Sequence, residues 1–185
     1  MTISIAIGGW SRSQNFSDMA ATAESGAAFV SSAIDFLKTH TMFDGLDFDW
    51  EFPGGGGNEG NSWRAEDGQN YALLLQEMRS ALNVLEAQTG RDYEISVAAP
   101  AGPDKIVALN AAGLAPYVDH FNLMAYDFHG TFESTTGHQS QLYDTLGGNL
   151  DINTAVNLYL DAGIDPSKLV LGAPAYGWGW GGVED

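Results

Sequence analysis

The chain has 185 residues, 7 of them basic and 24 acidic, for a formal net charge of −17. That sign excludes nucleic acid and anionic membranes as partners, since both are bound through basic patches. No apolar run reaches the length of a membrane span, and the absence of cysteine excludes disulfides and thiolate metal sites.

With 44% hydrophobic residues the chain is large enough for one domain with a real core. The N-terminus, Met1 to Ile7, lacks the basic start of a signal peptide and runs straight into strand-like sequence. Ile3 to Ile7 reads as a buried strand ended by Gly8-Gly9-Trp10, and Ser11 to Ala21 reads as a polar loop. Phe29, Val30, Ile34 and Leu37 recur at helical spacing and predict a helix over 24–40.

The stretch 43–53 reads as one strand with two unlike faces. Asp47, Asp49 and Glu51 share one face; Leu46, Phe48, Trp50 and Phe52 share the other. The apolar face calls for a packed layer, and buried carboxylates are costly unless paired or hydrogen-bonded. Same-face neighbours sit roughly 6.5–7 Å apart. Two full charges at that distance repel by about 2.4 kcal/mol at an effective dielectric of about 20, worth about 2 in pKa. One of the three is expected to hold a proton at neutral pH, which is what a general acid needs.

The glycine-rich segment 53–62 is a loop beside this strand, without the lysine or the spacing of a phosphate loop. A leucine-rich stripe predicts a helix over 66–89, stopped by Gly90. A strand over 93–99, a short helix over 104–114, a strand over 120–127, a helix over 152–162 and a strand over 169–176 complete the order. Five strands alternating with four helices imply an α/β fold with parallel pairing, either an open doubly wound sheet or a TIM barrel. Asp49 and Glu51 at a strand's C-terminal end favour the barrel. His120, His129 and His138 form no metal pattern with the acids, so neither metal nor cofactor is expected.

Asp44-x-x-Asp47-x-Asp49-x-Glu51 resembles the DxxDxDxE signature of family 18 glycoside hydrolases, the chitinases and their relatives. The resemblance implies an incomplete (β/α)8 barrel, with residues 1–185 as part of a catalytic domain. These strands would match barrel strands three to seven, in a fragment of a longer, secreted enzyme. It also implies chitin or N-acetylglucosamine oligosaccharides as partners and a retaining mechanism assisted by the substrate's own N-acetyl group. Glu51 would be the general acid and base. Asp49 would orient the N-acetyl group, and Asp47 would share a proton with Asp49. Asp44, out of phase with the other acids, is assigned a structural role.

Met124-x-Tyr126-Asp127 matches the family's M-x-Y-D, where the tyrosine binds the N-acetyl oxygen and the aspartate contacts sugar or water. Met124, Trp10, Phe132 and Tyr176 are placed with the substrate. Two positions depart from the pattern. Ala6 stands where the family has a serine, and Trp178 follows Tyr176-Gly177 where the family has an arginine. An endo-β-N-acetylglucosaminidase and a non-hydrolytic chitin-binding lectin remain as alternatives.

Only three lysines occur, Lys38, Lys105 and Lys168. A low-lysine acidic surface suggests adaptation to high salt, where self-repulsion is screened. The melting temperature is then expected to rise from low to molar salt; no gain would contradict this.

Overall fold

The computed structural model describes residues 2–145 and 147–183. Five strands, β1 (Ser4–Gly8), β2 (Gly45–Asp49), β3 (Glu94–Ala99), β4 (His120–Leu123) and β5 (Leu169–Leu171), form one parallel sheet in chain order. Between them run α1 (Phe16–Ala20), α2 (Ala23–Thr39), α3 (Asp67–Thr89), α4 (Pro103–Leu109), α5 (Ala111–Leu114) and α6 (Ile152–Asp161). Each parallel pairing needs a crossover, and helices supply it.

α2 and α3 cover the apolar face of β2. Leu46, Phe48 and Trp50 are buried, with Phe48 against Phe29 of α2 and Tyr71 of α3. Trp50 meets Tyr71 at 5.1 Å between ring centroids and stacks on Phe16 of α1 at 5.4 Å. The Thr22 side chain accepts from Ser25 N at the start of α2. At the end of α3, Gly90 takes φ +68° as a left-handed cap.

Three expectations need correction. The segment 11–21 is not all loop: Phe16–Ala20 is α1, held by burial of Phe16, and five residues give too short a period to read. The helix predicted over 104–114 is two helices, because Asn110 adopts φ +58° between them. The strands predicted over 43–53, 120–127 and 169–176 stop at Asp49, Leu123 and Leu171. Past those ends the apolar alternation persists in sequence while the chain leaves the ladder. Phe52 consequently does not extend the apolar face of β2; it lies half-buried, with Lys105 Nζ 6.0 Å from its ring centre.

Asp44 enters β2 in the structural role expected of it. Its carboxylate accepts from Ile3 N at 3.0 Å and from Arg91 Nη2 at 2.8 Å. These bonds hold it below the usual carboxylate range, the Ile3 N–H first and Arg91 second. Arg91 also donates to the Thr41 and Phe43 carbonyls, tying the α3–β3 turn to the start of β2.

Among the described residues β1 pairs only with β2, and β5 only with β4, so the sheet is open. Ile5 and Ile7 line an apolar groove of about 180 Å³ with Phe29 and Phe36 beside β1. Val170 and Leu171 of β5 are exposed. Open edges with apolar flanks are templates for pairing with another chain. Sedimentation velocity is expected to show concentration-dependent association of this chain; a monomer at all concentrations, unfolding in one cooperative step, would contradict that.

Candidate active site

The polar face of β2 lies beside the polar faces of its neighbours. Parallel register sets Ala6 of β1 against Asp47, Asp47 against Ser96 of β3, and Ala98 against Asn122 of β4. Ser96 Oγ donates to Asp47 Oδ1, and Asn122 Nδ2 donates to the same oxygen at 3.0 Å. Asp47 is thereby fixed by two neutral donors, one from the neighbouring strand β3 and one from β4 beyond it. No hydrogen bond joins Asp47 to Asp49 among the described residues, so proton sharing between them has no direct contact behind it. The exposed methyl of Ala6 leaves the β1 side of Asp47 without a hydroxyl.

Asp49 and Glu51 are half-buried at the C-terminal end of β2. Asp49 is raised above the usual carboxylate range, first by burial and then by the charge of Asp47. Its Oδ1 is buried without a hydrogen-bond partner among the described residues. Glu51 is pushed up to about 7, mainly by burial, then by the charges of Asp49 and Asp127. The Trp10 backbone N–H pulls it partway back. The repulsion inferred from strand spacing is therefore present, with burial as the larger cause.

Glu51 lies two residues past the strand, so its position depends on anchors. Ser13, fully buried, supplies the main one. Its hydroxyl donates to Gly9 O at 2.9 Å and Asp49 O at 3.2 Å and accepts from Glu51 N at 3.0 Å. Asn61 Nδ2 holds the Glu51 carbonyl at 2.9 Å. The Glu51–Phe52 peptide is cis. Gly8, at φ +117°, passes so close that a Cβ there would lie 2.0 Å from Asp49 O, a contact only glycine avoids. The glycine-rich loop is tied down by buried Asp67, which accepts from Gly54 N, Arg64 N and Ser17 Oγ.

The segment following β4 completes the cluster. Tyr126 is half-buried and raised above the ordinary tyrosine range, chiefly by burial and then by Asp49, Glu51, Asp127 and Asp47. Its ring fits because residue 172 is glycine: a Cβ there would sit 2.9 Å from Tyr126 Cε1 and 2.5 Å from Leu123 O. Asp127 is exposed at φ +55° and accepts from the Tyr176 hydroxyl at 2.8 Å. Tyr176 and Tyr126 meet edge to face at 6.4 Å.

The structure thus brings together Asp47, Asp49, Glu51, Tyr126, Asp127 and Tyr176. Trp10 joins through its backbone while its indole stays exposed, an open aromatic face after β1. Phe132 is exposed with its ring over Gly130, and Met124 is half-buried two residues before Tyr126. Sequence reasoning missed Ser13, Ser96, Asn61 and the Asp47 bond of Asn122. Ser96 was open to inference, because a hydroxyl inside an apolar strand asks for a partner and parallel register aligns it with Asp47. Ser13 and Asn61 had no such signal; they act from loops through backbone atoms of a distant segment.

Comparison with known proteins places the chain in a family. The model of the family described as glycosyl hydrolases family 18 matches residues 1–185. Chitinase A1 of Niallia circulans is 43% identical over 187 residues, covering 96% of this chain and 27% of that protein. The solved chitinase ChiA74 from Bacillus thuringiensis superposes with a TM-score of 0.89 at 38% identity, over 94% of this chain and 28% of that one. Catalytic domain 2 of the Ostrinia furnacalis group II chitinase, solved in complex with penta-N-acetylchitooctaose, superposes with a TM-score of 0.81 at 30% identity, over 92% of this chain and 44% of that one. The chain spans about a quarter of the length of the first two relatives. The chain belongs to family 18 of the glycosyl hydrolases.

Proposed function

We propose that the chain carries the catalytic carboxylates of a chitinase that hydrolyses β-1,4 linkages between N-acetylglucosamine units. The observation that carries the reading is Glu51, a half-buried carboxylic acid at the end of the acidic strand face, pushed up to about 7 by burial and by the charges of Asp49 and Asp127, so that a large share of it is protonated at neutral pH. Such an acid donates to a glycosidic oxygen where an ordinary glutamate would already be ionised. Acidic surfaces without a basic patch suit a neutral polysaccharide. A polymer substrate of this kind places the parent enzyme outside the cell.

The roles are those that the resemblance to the family implies, and the geometry supports them as follows. Glu51 gives its proton to the leaving oxygen as the C1–O bond breaks. The acetamido carbonyl oxygen of the same sugar bonds to C1 in its place, giving an oxazolinium ion with no covalent bond to the protein. Asp49 carries the orphan Oδ1, which is offered to the acetamido N–H; its negative charge then balances the cation. Asp47, locked by Ser96 and Asn122, backs Asp49 with fixed charge. Tyr126 supplies a neutral hydroxyl at the cluster's edge for the acetamido oxygen, and Asp127, Trp10, Met124, Phe132 and Tyr176 border the sugar path. Glu51, now a carboxylate, takes a proton from the water whose oxygen bonds to C1 as the bond between C1 and the acetamido oxygen breaks, giving the product with retained configuration and returning Glu51 to its acid form.

The test is hydrolysis of a fluorogenic chitobioside by this chain, beside Glu51→Gln. Turnover is expected in the parent and should fall by about 10²–10⁴-fold in the variant, the range general acid–base catalysis supplies. Binding of chitin oligomers with no turnover in the parent, in a chain restored to eight strands as well, would overturn the reading in favour of a lectin. The active form of Glu51 is the protonated one, so kcat/KM should fall as pH rises through about 7. A flat profile to pH 9 would contradict Glu51 as the acid.

A further inference from the structure

Asp127, in the segment after β4, adds its charge to that of Asp49 at Glu51, and both of its oxygens are occupied. Oδ2 accepts from the Tyr176 hydroxyl at 2.8 Å, and Oδ1 accepts from Trp178 Nε1 at 3.0 Å. Both donors come from the segment following β5. Their rings meet edge to face at 6.2 Å, and Gln139 Nε2 donates to the Tyr176 carbonyl, so the pair is braced.

Neither donor carries a charge. An indole N–H donates one hydrogen bond and nothing more, whereas a guanidinium in its place would neutralise the carboxylate. The charged and titratable groups facing Glu51 are Asp49 from β2 and Tyr126 and Asp127 after β4; the segment after β1 offers the Trp10 backbone N–H. The cations that pair among the described residues do so elsewhere: Lys38 with Asp35, Arg64 with Asp18, Arg79 with Asp119, Arg91 with Asp44 and Lys105 with Asp104. Asp127 also stands at φ +55°, in the left-handed backbone region that aspartate enters more readily than most residues.

We propose that Tyr176 and Trp178 are positioning residues, uncharged donors that fix Asp127 beside Glu51 while leaving its charge uncompensated, so that Asp127 helps keep the proton on Glu51. Burial of Glu51 and the charge of Asp49 act in the same direction, and the Asp127 contribution is the one set from the segment after β5. Position 178 thereby sets the pH range of the acid without touching it. The inference rests on Glu51 as the acid, but its test reads the proton and not the turnover.

The test is the titration midpoint of Glu51 in the whole chain, followed through the ¹³C shift of its carboxyl and assigned by the resonance lost in Glu51→Gln. Trp178→Arg is expected to lower the midpoint by about one pH unit, tenfold in proton affinity. Trp178→Phe, which removes the donor and adds no charge, should leave it closer to the parent value. Asp127→Asn should lower it too, and supplies the same test should the arginine variant fail to fold. In the Asp127→Asn background the arginine should have little left to do, since residues that act through one group are not additive. An unchanged midpoint in Trp178→Arg, or the same drop with and without Asp127, would overturn the inference. A midpoint that responds as expected, with no turnover of chitobioside by this chain or by one restored to eight strands, would sink the enzymatic reading and leave this one standing.

Discussion

Glu51 sits where solvent is partly withdrawn and two carboxylates face it, and the rest of the structure makes that placement possible. Charges this close would push a surface loop apart. Here β2 cannot yield, because Leu46, Phe48 and Trp50 are packed under α1, α2 and α3. The apolar face thus offsets the repulsion on the polar one. Burial of a leucine- or phenylalanine-sized side chain contributes roughly 1.5–3 kcal/mol, and three such residues outweigh a pairwise repulsion of about 2.4 kcal/mol. The hydroxyl of Ser13 then carries this rigidity two residues further, from Asp49 O to Glu51 N.

The carboxylates divide into different roles by what surrounds them. Asp47 takes fixed donors from β3 and β4, Asp49 keeps a buried oxygen free, and Glu51 is pushed up to about 7 by burial and neighbouring charge. Identical chemistry on one strand becomes unlike through hydrogen bonding and burial, which is how one face supplies both an acid and a stabilising anion. Gly8 and Gly172 belong to the same arrangement, because backbone and ring pass where any side chain would collide.

The two faces of β2 were legible in the sequence because a period of two survives translation into structure directly. The pattern of acids on that strand likewise pointed to the family before any geometry was available. The strand ends were not legible. Residues 124–127 and 172–176 continue the apolar runs of β4 and β5, yet the ladder stops at Leu123 and Leu171, since pairing depends on a neighbour that the local sequence does not encode. The bond that Tyr176 makes was hidden for a related reason: it holds Asp127, a partner 49 residues away. Ser13 and Asn61 were invisible because a side chain that bonds a remote backbone atom leaves no periodic trace.

The central claim is that like charge and burial together hold a proton on Glu51 at neutral pH. It is tested most directly by the titration midpoint of Glu51 in the parent chain and in Asp49→Asn. The account predicts a midpoint near 7 in the parent and a lower one when the neighbouring charge is removed. A parent midpoint in the ordinary glutamate range, unmoved by Asp49→Asn, would contradict it.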